Sequence, residues 1–226
     1  MSIIIPENII QSTVDNTLTF IKADWDSAVD KTKTALYDMW FGVSHGDYNY
    51  YEQAQTVFLK TDADNRKINI RPFYPKDQQR FPIIVVNAPS QNTGGEDGIG
   101  FDENKYGAHY NDDDFEYTNT FSRSFTGTYA INIFSDNKEE VQLIYYTIQV
   151  FMELLKVHLS GSGLQNLKIS GADLRTLPQG THVVPVFTRA VLLNGHINQT
   201  IKDYFANSMV QNFTFSGTPI ESSIEL

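Results

Sequence analysis

The chain has 226 residues, of which 41% are hydrophobic, and carries a formal net charge of −10 at pH 7. That length and apolar content suit one sizeable core and are too small for two comfortable domains. With no cysteine in the sequence, disulfides, thiolate metal centres and cysteine nucleophiles are excluded.

Aromatic residues make up 13%, as 12 Tyr and 15 Phe against 2 Trp, a balance that fits a β-rich core and protein interfaces. Residues 1–6 read as a short extended arm ending at Pro6. The Ile3–Ile5 run has no basic region before it, so no signal peptide is expected. No stretch approaches the roughly 20 apolar residues that span a bilayer. The expectation is a soluble protein made in a cytoplasm.

From Glu7 to Trp40 the pattern is helical. Ile10, Val14, Leu18, Ile21, Trp25, Ala28, Val29, Ala35, Leu36 and Met39 fall on one face. Asp24 or Asp26 is placed to cap a second helix, so one helix and two both remain open. His45 to Tyr51 reads as a turn. Thr56–Lys60 and Lys67–Arg71 read as short strands around a polar turn, and Arg71–Arg80 as a loop with two prolines. Phe81–Asn87 is a compact apolar run, most simply a buried strand.

Residues 89–116 form a long, glycine-rich polar stretch, and loops of that length are uncommon in compact domains. Its acids are Glu96, Asp97, Asp102, Glu103, Asp112, Asp113, Asp114 and Glu116. Opposed by Lys105 alone, they hold most of the net charge of −10. Such a loop repels nucleic-acid backbones and argues against sequence-specific DNA binding through that face.

Phe121–Phe134 alternates. Phe121, Phe125, Tyr129, Ile131 and Ile133 share one face, and Ser122, Ser124, Thr126, Thr128 and Asn132 the other. Ser135, Asp136 and Asn137 supply N-cap candidates, with Glu139 three residues after Asp136 as in a capping box. An apolar helix follows over Asn137–Leu159, burying Val141, Ile144, Tyr145, Ile148, Phe151, Met152, Leu155 and Leu159. Gly161 and Gly163 end it. Leu164–Thr176 contains a further strand, and His182–Leu193 is the last convincing one. Pro185 implies an edge position or bulge there. Asn194-Gly195 is a turn signal, residues 197–206 suit one more short helix or strand, and residues 208–226 read as a polar tail. The mixed order of elements favours an α+β fold with a mixed or antiparallel sheet, packed by the N-terminal and central helices, in a single domain over 1–226.

Chemistry is hard to find. Gly98-Ile99-Gly100 lacks the third glycine and the following helix of a phosphate-binding loop, and no Gly-Lys-Ser/Thr occurs. Gly-x-Ser-x-Gly and His-Glu-x-x-His are absent. His45, His109, His158, His182 and His196 are dispersed, unlike zinc ligands. Asp112–Asp114 with Glu116 offers hard oxygen ligands but misses the calcium-loop pattern, and no carboxylate pair is singled out for glycosidase chemistry. No catalytic, cofactor-binding or metal residue is assigned.

The span from Phe81 to about Tyr204 resembles the tail-terminator proteins of tailed bacteriophages and the related neck and tail-completion proteins. The resemblance rests on Phe81-Pro82-Ile83-Ile84-Val85-Val86 before a variable loop, then Arg123 to Ile133 leading through Ser135-Asp136-Asn137-Lys138-Glu139-Glu140 into a helix, and Val183–Leu193 closing the sheet. It covers about half the chain. It implies a virion protein with no catalytic residue, assembled into a ring, most often a hexamer, that caps the head-proximal end of the tail tube. Its partners would be further copies of itself, the tail tube and sheath, and neck proteins, with DNA passing through the bore unbound and no membrane involved. On that reading the eight carboxylates line the lumen or dock a basic neighbour. A head-closure or neck connector is the alternative of the same class. A small carboxylate-dependent enzyme or calcium module is the alternative of another.

Overall fold

The computed structural model describes residues 5–60, 67–71, 81–93, 109–110, 117–118, 120–176 and 185–202. The first helix, α1 (Pro6–Ser27), starts with Pro at its first turn, where a missing N–H costs nothing. Ile10, Val14 and Ile21 are buried on one face. Thr13 and Thr17 are buried among them, their hydroxyls donating to the Ile9 and Thr13 carbonyls at 2.8 Å. The helical pattern does not run through to Trp40. It breaks at Ala28, takes one 3-10 turn over Lys31–Lys33, and resumes as α2 (Ala35–Trp40). Neither candidate cap is the N-cap of α2: Asp24 and Asp26 both lie inside α1, and Thr34 holds that position. The Asp24 carboxylate reaches across from α1 and accepts the Ala35 N–H at 2.8 Å. Thr34 accepts the Tyr37 N–H beside it. Val29, expected on the apolar stripe, lies in the break and is fully exposed.

A tight hairpin follows, β1 (Ser44–His45) and β2 (Tyr48–Asn49), turning at Gly46 with φ +59. It runs directly into α3 (Tyr50–Phe58), whose N-cap Asn49 accepts the Tyr51 and Glu52 N–H groups. The strand expected over Thr56–Lys60 is therefore not one, because Thr56–Phe58 are the end of α3. Tyr50, Ala54, Val57 and Phe58 are buried at helical spacing, and that burial overrides the β preference of Thr56 and Val57.

The main sheet contains β3 (Asn69–Arg71), β4 (Ile83–Thr93), β7 (Thr120–Ser135), β8 (Leu164–Gly171), β9 (Arg175–Thr176) and β10 (Phe187–Lys202). Its order is β3-β4-β7-β10-β8, with β9 also on β10. β3 runs parallel to β4, and every other pairing is antiparallel. A separate short pair joins β5 (His109–Tyr110) to β6 (Tyr117–Thr118). Between β7 and β8 lie α4 (Lys138–Leu154) and α5 (Lys156–Gly161). The fold is α+β with a mixed sheet. Ile84, Val86, Tyr129, Ile131, Ile133, Val191 and Leu193 form the sheet's half of the core, and α1 and α4 pack over it.

Three boundaries differ from expectation. First, β4 continues to Thr93, so residues 89–93 of the polar stretch are strand. Residues 94–108 and 111–116 of that stretch lie outside the described residues, as do 72–80, 177–184 and the tail. Second, Asn194-Gly195 makes no turn. Both sit inside β10, where Gly195 faces Gly127 of β7. β10 is an internal strand between β7 and β8, and Pro185 precedes it, so no edge strand is needed. A Cβ at Gly195 would come within 3.0 Å of Leu167 Cδ2 and 3.2 Å of the Gln165 carbonyl. The glycine serves close strand approach at the bulge between Asn194 and His196, which is the other meaning of glycine in a strand. Third, α4 is capped by Asn137, which accepts the Glu139 and Glu140 N–H groups at 2.9 and 3.3 Å, not by a box from Asp136 to Glu139. Glu140 turns back instead, its buried carboxylate accepting the Ser135 hydroxyl.

Candidate interaction surface

Among the described residues, the helical layer leaves two apolar surfaces uncovered. The larger follows α4 into α5. Its inner face is spent on the core through Val141, Ile144, Ile148 and Met152. Offset from these, Tyr146, Val150, Leu154 and Val157 repeat at four, four and three residues and are exposed, Leu154 by 71% and Val157 by 84%. That spacing forms one row along a helix. At its upper end the Arg189 guanidinium lies 3.8 Å from the Tyr145 ring centroid and 4.9 Å from that of Tyr146. Such stacking holds aromatic rings in place on a wet surface. Beside the row, Phe20 of α1 meets Phe151 edge-on at 5.9 Å and is itself half exposed.

The smaller surface is an aromatic corner where α2, the β1–β2 hairpin and α3 meet. Tyr37 stacks on Phe41 at 4.2 Å, and Tyr51 stands edge-on to both. Phe41 is 60% exposed, and Val43 projects beside it. The corner rests on a firm base. Trp40 stacks on Tyr50 at 5.3 Å, and its indole N–H donates to Thr147 Oγ1 of α4 at 3.1 Å. Burial raises the pKa of Tyr51 above the ordinary phenol value, with Tyr37 adding to the effect. The Tyr51 hydroxyl stays neutral at physiological pH, and the corner suits a packing surface more than an ionic one.

The far face of the sheet is polar toward its outer end. Thr128 Oγ1 donates to Asn194 Oδ1 at 2.6 Å, and Thr126 Oγ1 lies 2.9 Å from His196 Nδ1. Asn132 donates to Asn87 at 2.9 Å. These cross-strand pairs fix register, and the Thr126–His196 pair sets a hydroxyl beside an imidazole. Among the described residues no group of three or more His, Asp or Glu is placed to hold a metal, and no helix is long and apolar enough to cross a membrane.

The eight loop carboxylates, Glu96, Asp97, Asp102, Glu103, Asp112, Asp113, Asp114 and Glu116, lie outside the described residues, as do Gly94–Gly100 and His182. What is described is where that segment joins the fold. Thr93 pairs with Phe125, and β7 begins at Thr120. β7 and β10 pair over sixteen positions. Their last five pairs, outward from Ser124 and Asn198, extend past the pairing with β4 and β8. The acidic segment thus leaves and rejoins the chain near the outer end of a two-stranded ribbon.

Neither exposed surface was singled out from sequence. α4 carried the available signal, since an apolar residue occurs on more than one side of it, more than a single buried stripe requires. Compared with protein-family profiles and with curated proteins, the sequence finds no match.

Proposed function

We propose that this chain is a structural protein of a tailed-phage virion, a tail terminator that assembles into a ring at the head-proximal end of the tail tube. The observation that carries the reading is the exposed row Tyr146, Val150, Leu154 and Val157. A contiguous apolar helix face is costly to leave in water and marks a surface that another chain covers. The mixed sheet with its strand, helix and strand order supports the resemblance. In this reading the mechanism is complementarity. One face of the ring matches the last layer of tube, the other offers no further tube-binding surface, and growth stops. The acidic residues between Thr93 and Thr120 would line the bore, where negative charge keeps DNA from adhering.

The test is native mass spectrometry with negative-stain imaging, on the purified chain alone and with tail tubes. A closed ring, with six copies of 25.7 kDa as the leading expectation, either free or on tube ends, supports the proposal. A monomer under both conditions overturns it. Binding to portal or head-closure rings without binding to tube would transfer the assignment to a neck connector. Thermal stabilisation by calcium, reversed by EDTA, would favour the carboxylate alternative. Reversing Asp112, Asp113 and Asp114 to lysine separately tests the bore. Normal assembly and normal DNA ejection would remove the acidic segment from the mechanism.

A further inference from the structure

The two exposed apolar surfaces differ in the charges around them. The hollow at the aromatic corner, about 370 Å³, is lined by Phe41, Val43 and Tyr51 together with Asp47 and Glu52, and no cation lines it. The hollow beside the α4–α5 row, about 880 Å³, is lined by Val157 and Leu167 together with Lys156, Lys168 and His196, and no carboxylate lines it. The nearest acid on the row is Glu153, already 3.8 Å from Lys156 as an exposed pair.

We infer that copies of this chain join head to tail, the Phe41 corner of one copy seating against the α4–α5 row of the next beside Val157. An interface of like with like would set Asp47 and Glu52 against themselves, or Lys156 and Lys168 against themselves, and like charges facing across an interface are penalised. Joining unlike surfaces pairs acid with base at the rim and places aromatic and aliphatic groups at the centre, the usual anatomy of a stable contact. Phe41 and Val157, both largely exposed in the free chain, are the side chains this contact would bury. The Trp40–Thr147 bond ties α2, which leads into the corner, to α4. A repeating contact between two different surfaces closes into a ring when its rotation allows. The inference deepens the ring reading and rests on it only in requiring that copies associate.

The full chain lacks cysteine, so introduced thiols report without background. Phe41 and Val157 are exposed enough to be replaced without loss of core. F41C and V157C would be made singly and together, then treated with a flexible bifunctional thiol reagent. The double variant is expected to give a ladder of dimers, trimers and longer products. Each single variant is expected to stay uncrosslinked, and an equal mixture of the two to stop at dimers. A charge exchange provides the second measurement. D47K with E52K should weaken self-association about tenfold or more, and adding K156E with K168E should restore it. Crosslinked dimers from either single variant overturn the inference, because like surfaces would then be meeting. A double variant that stays uncrosslinked while native mass spectrometry shows assembled copies overturns it and leaves the ring reading standing. A chain that never associates overturns both.

Discussion

Gly127 lies in β7 two residues before Tyr129, on the same face, and the tyrosine ring folds back over it. A Cβ at position 127 would sit 2.5 Å from the Tyr129 hydroxyl oxygen and 2.7 Å from the adjoining ring carbon. Tyr129 is fully buried, so its ring has little room to retreat. Gly127→Ala should therefore cost about 1–3 kcal/mol, the range for overpacking a tight site. It should appear as a lower urea midpoint with an unchanged slope. Gly171 plays the same part for Tyr145, whose hydroxyl oxygen would be 1.7 Å from a Cβ there. The tyrosines also set a pH limit. Burial, and then the nearby Glu140 carboxylate, push the Tyr48 hydroxyl well above its ordinary value of 10.0, while burial raises Tyr50 and Tyr145. The folded state keeps protons that the unfolded chain releases near pH 10. Stability linked to these groups is thus complete below about pH 10 and falls as the pH climbs beyond it. Urea unfolding followed from neutral pH upward should show that decline, and Tyr48→Phe should make it shallower.

Between elements, the bond from Trp40 to Thr147 joins α2 to the middle of α4 where both side chains are buried. Thr147→Val keeps the shape and removes the acceptor. The orphaned indole N–H should then cost about 1–3 kcal/mol. In a double-mutant cycle with Trp40→Phe the two losses should fall short of additivity, since the second change removes the group that the first one strands. Elements such as β7 and α4 were legible because their signals are local. Alternation from Phe121 and the spacing from Val141 to Met152 report burial directly. α3 was not legible. Thr56 and Val57 favour strands locally, whereas the deciding facts are the Asn49 cap and the burial of Ala54 and Phe58. The end of β10 was misread for a related reason. Asn194-Gly195 prefers a turn in isolation, but a sixteen-residue partner strand outweighs that preference. The interaction surface was the least legible part. Phe41 and Val43 are large and apolar, a type more often found inside, and the bends at Gly42 and Gly46, with φ of +78 and +59, turn that stretch outward.

At the scale of the molecule, the core and the assembly surface are separable, and that separation is itself testable. Ile144 and Leu193 are fully buried where α4 meets the sheet. Truncating either to alanine opens a cavity and should cost about 2–5 kcal/mol. Leu154, at the end of α4, and Val157, in α5, stand in solvent. Changing both to serine removes little buried area, so the unfolding free energy of the free chain should move by no more than about 0.5 kcal/mol. The two kinds of variant should then part in solution. Ile144→Ala should lower the urea midpoint while leaving the folded fraction able to associate. The paired serine variant should keep the midpoint and lose association, read as monomer by native mass spectrometry at concentrations where the unaltered chain assembles. If the serine variant assembled normally, the exposed row would have no part in joining copies, and the apolar surface most available for that task would be the aromatic corner around Phe41. If it unfolded as readily as the core variants, the row would belong to the fold, and its exposure would carry no message about partners.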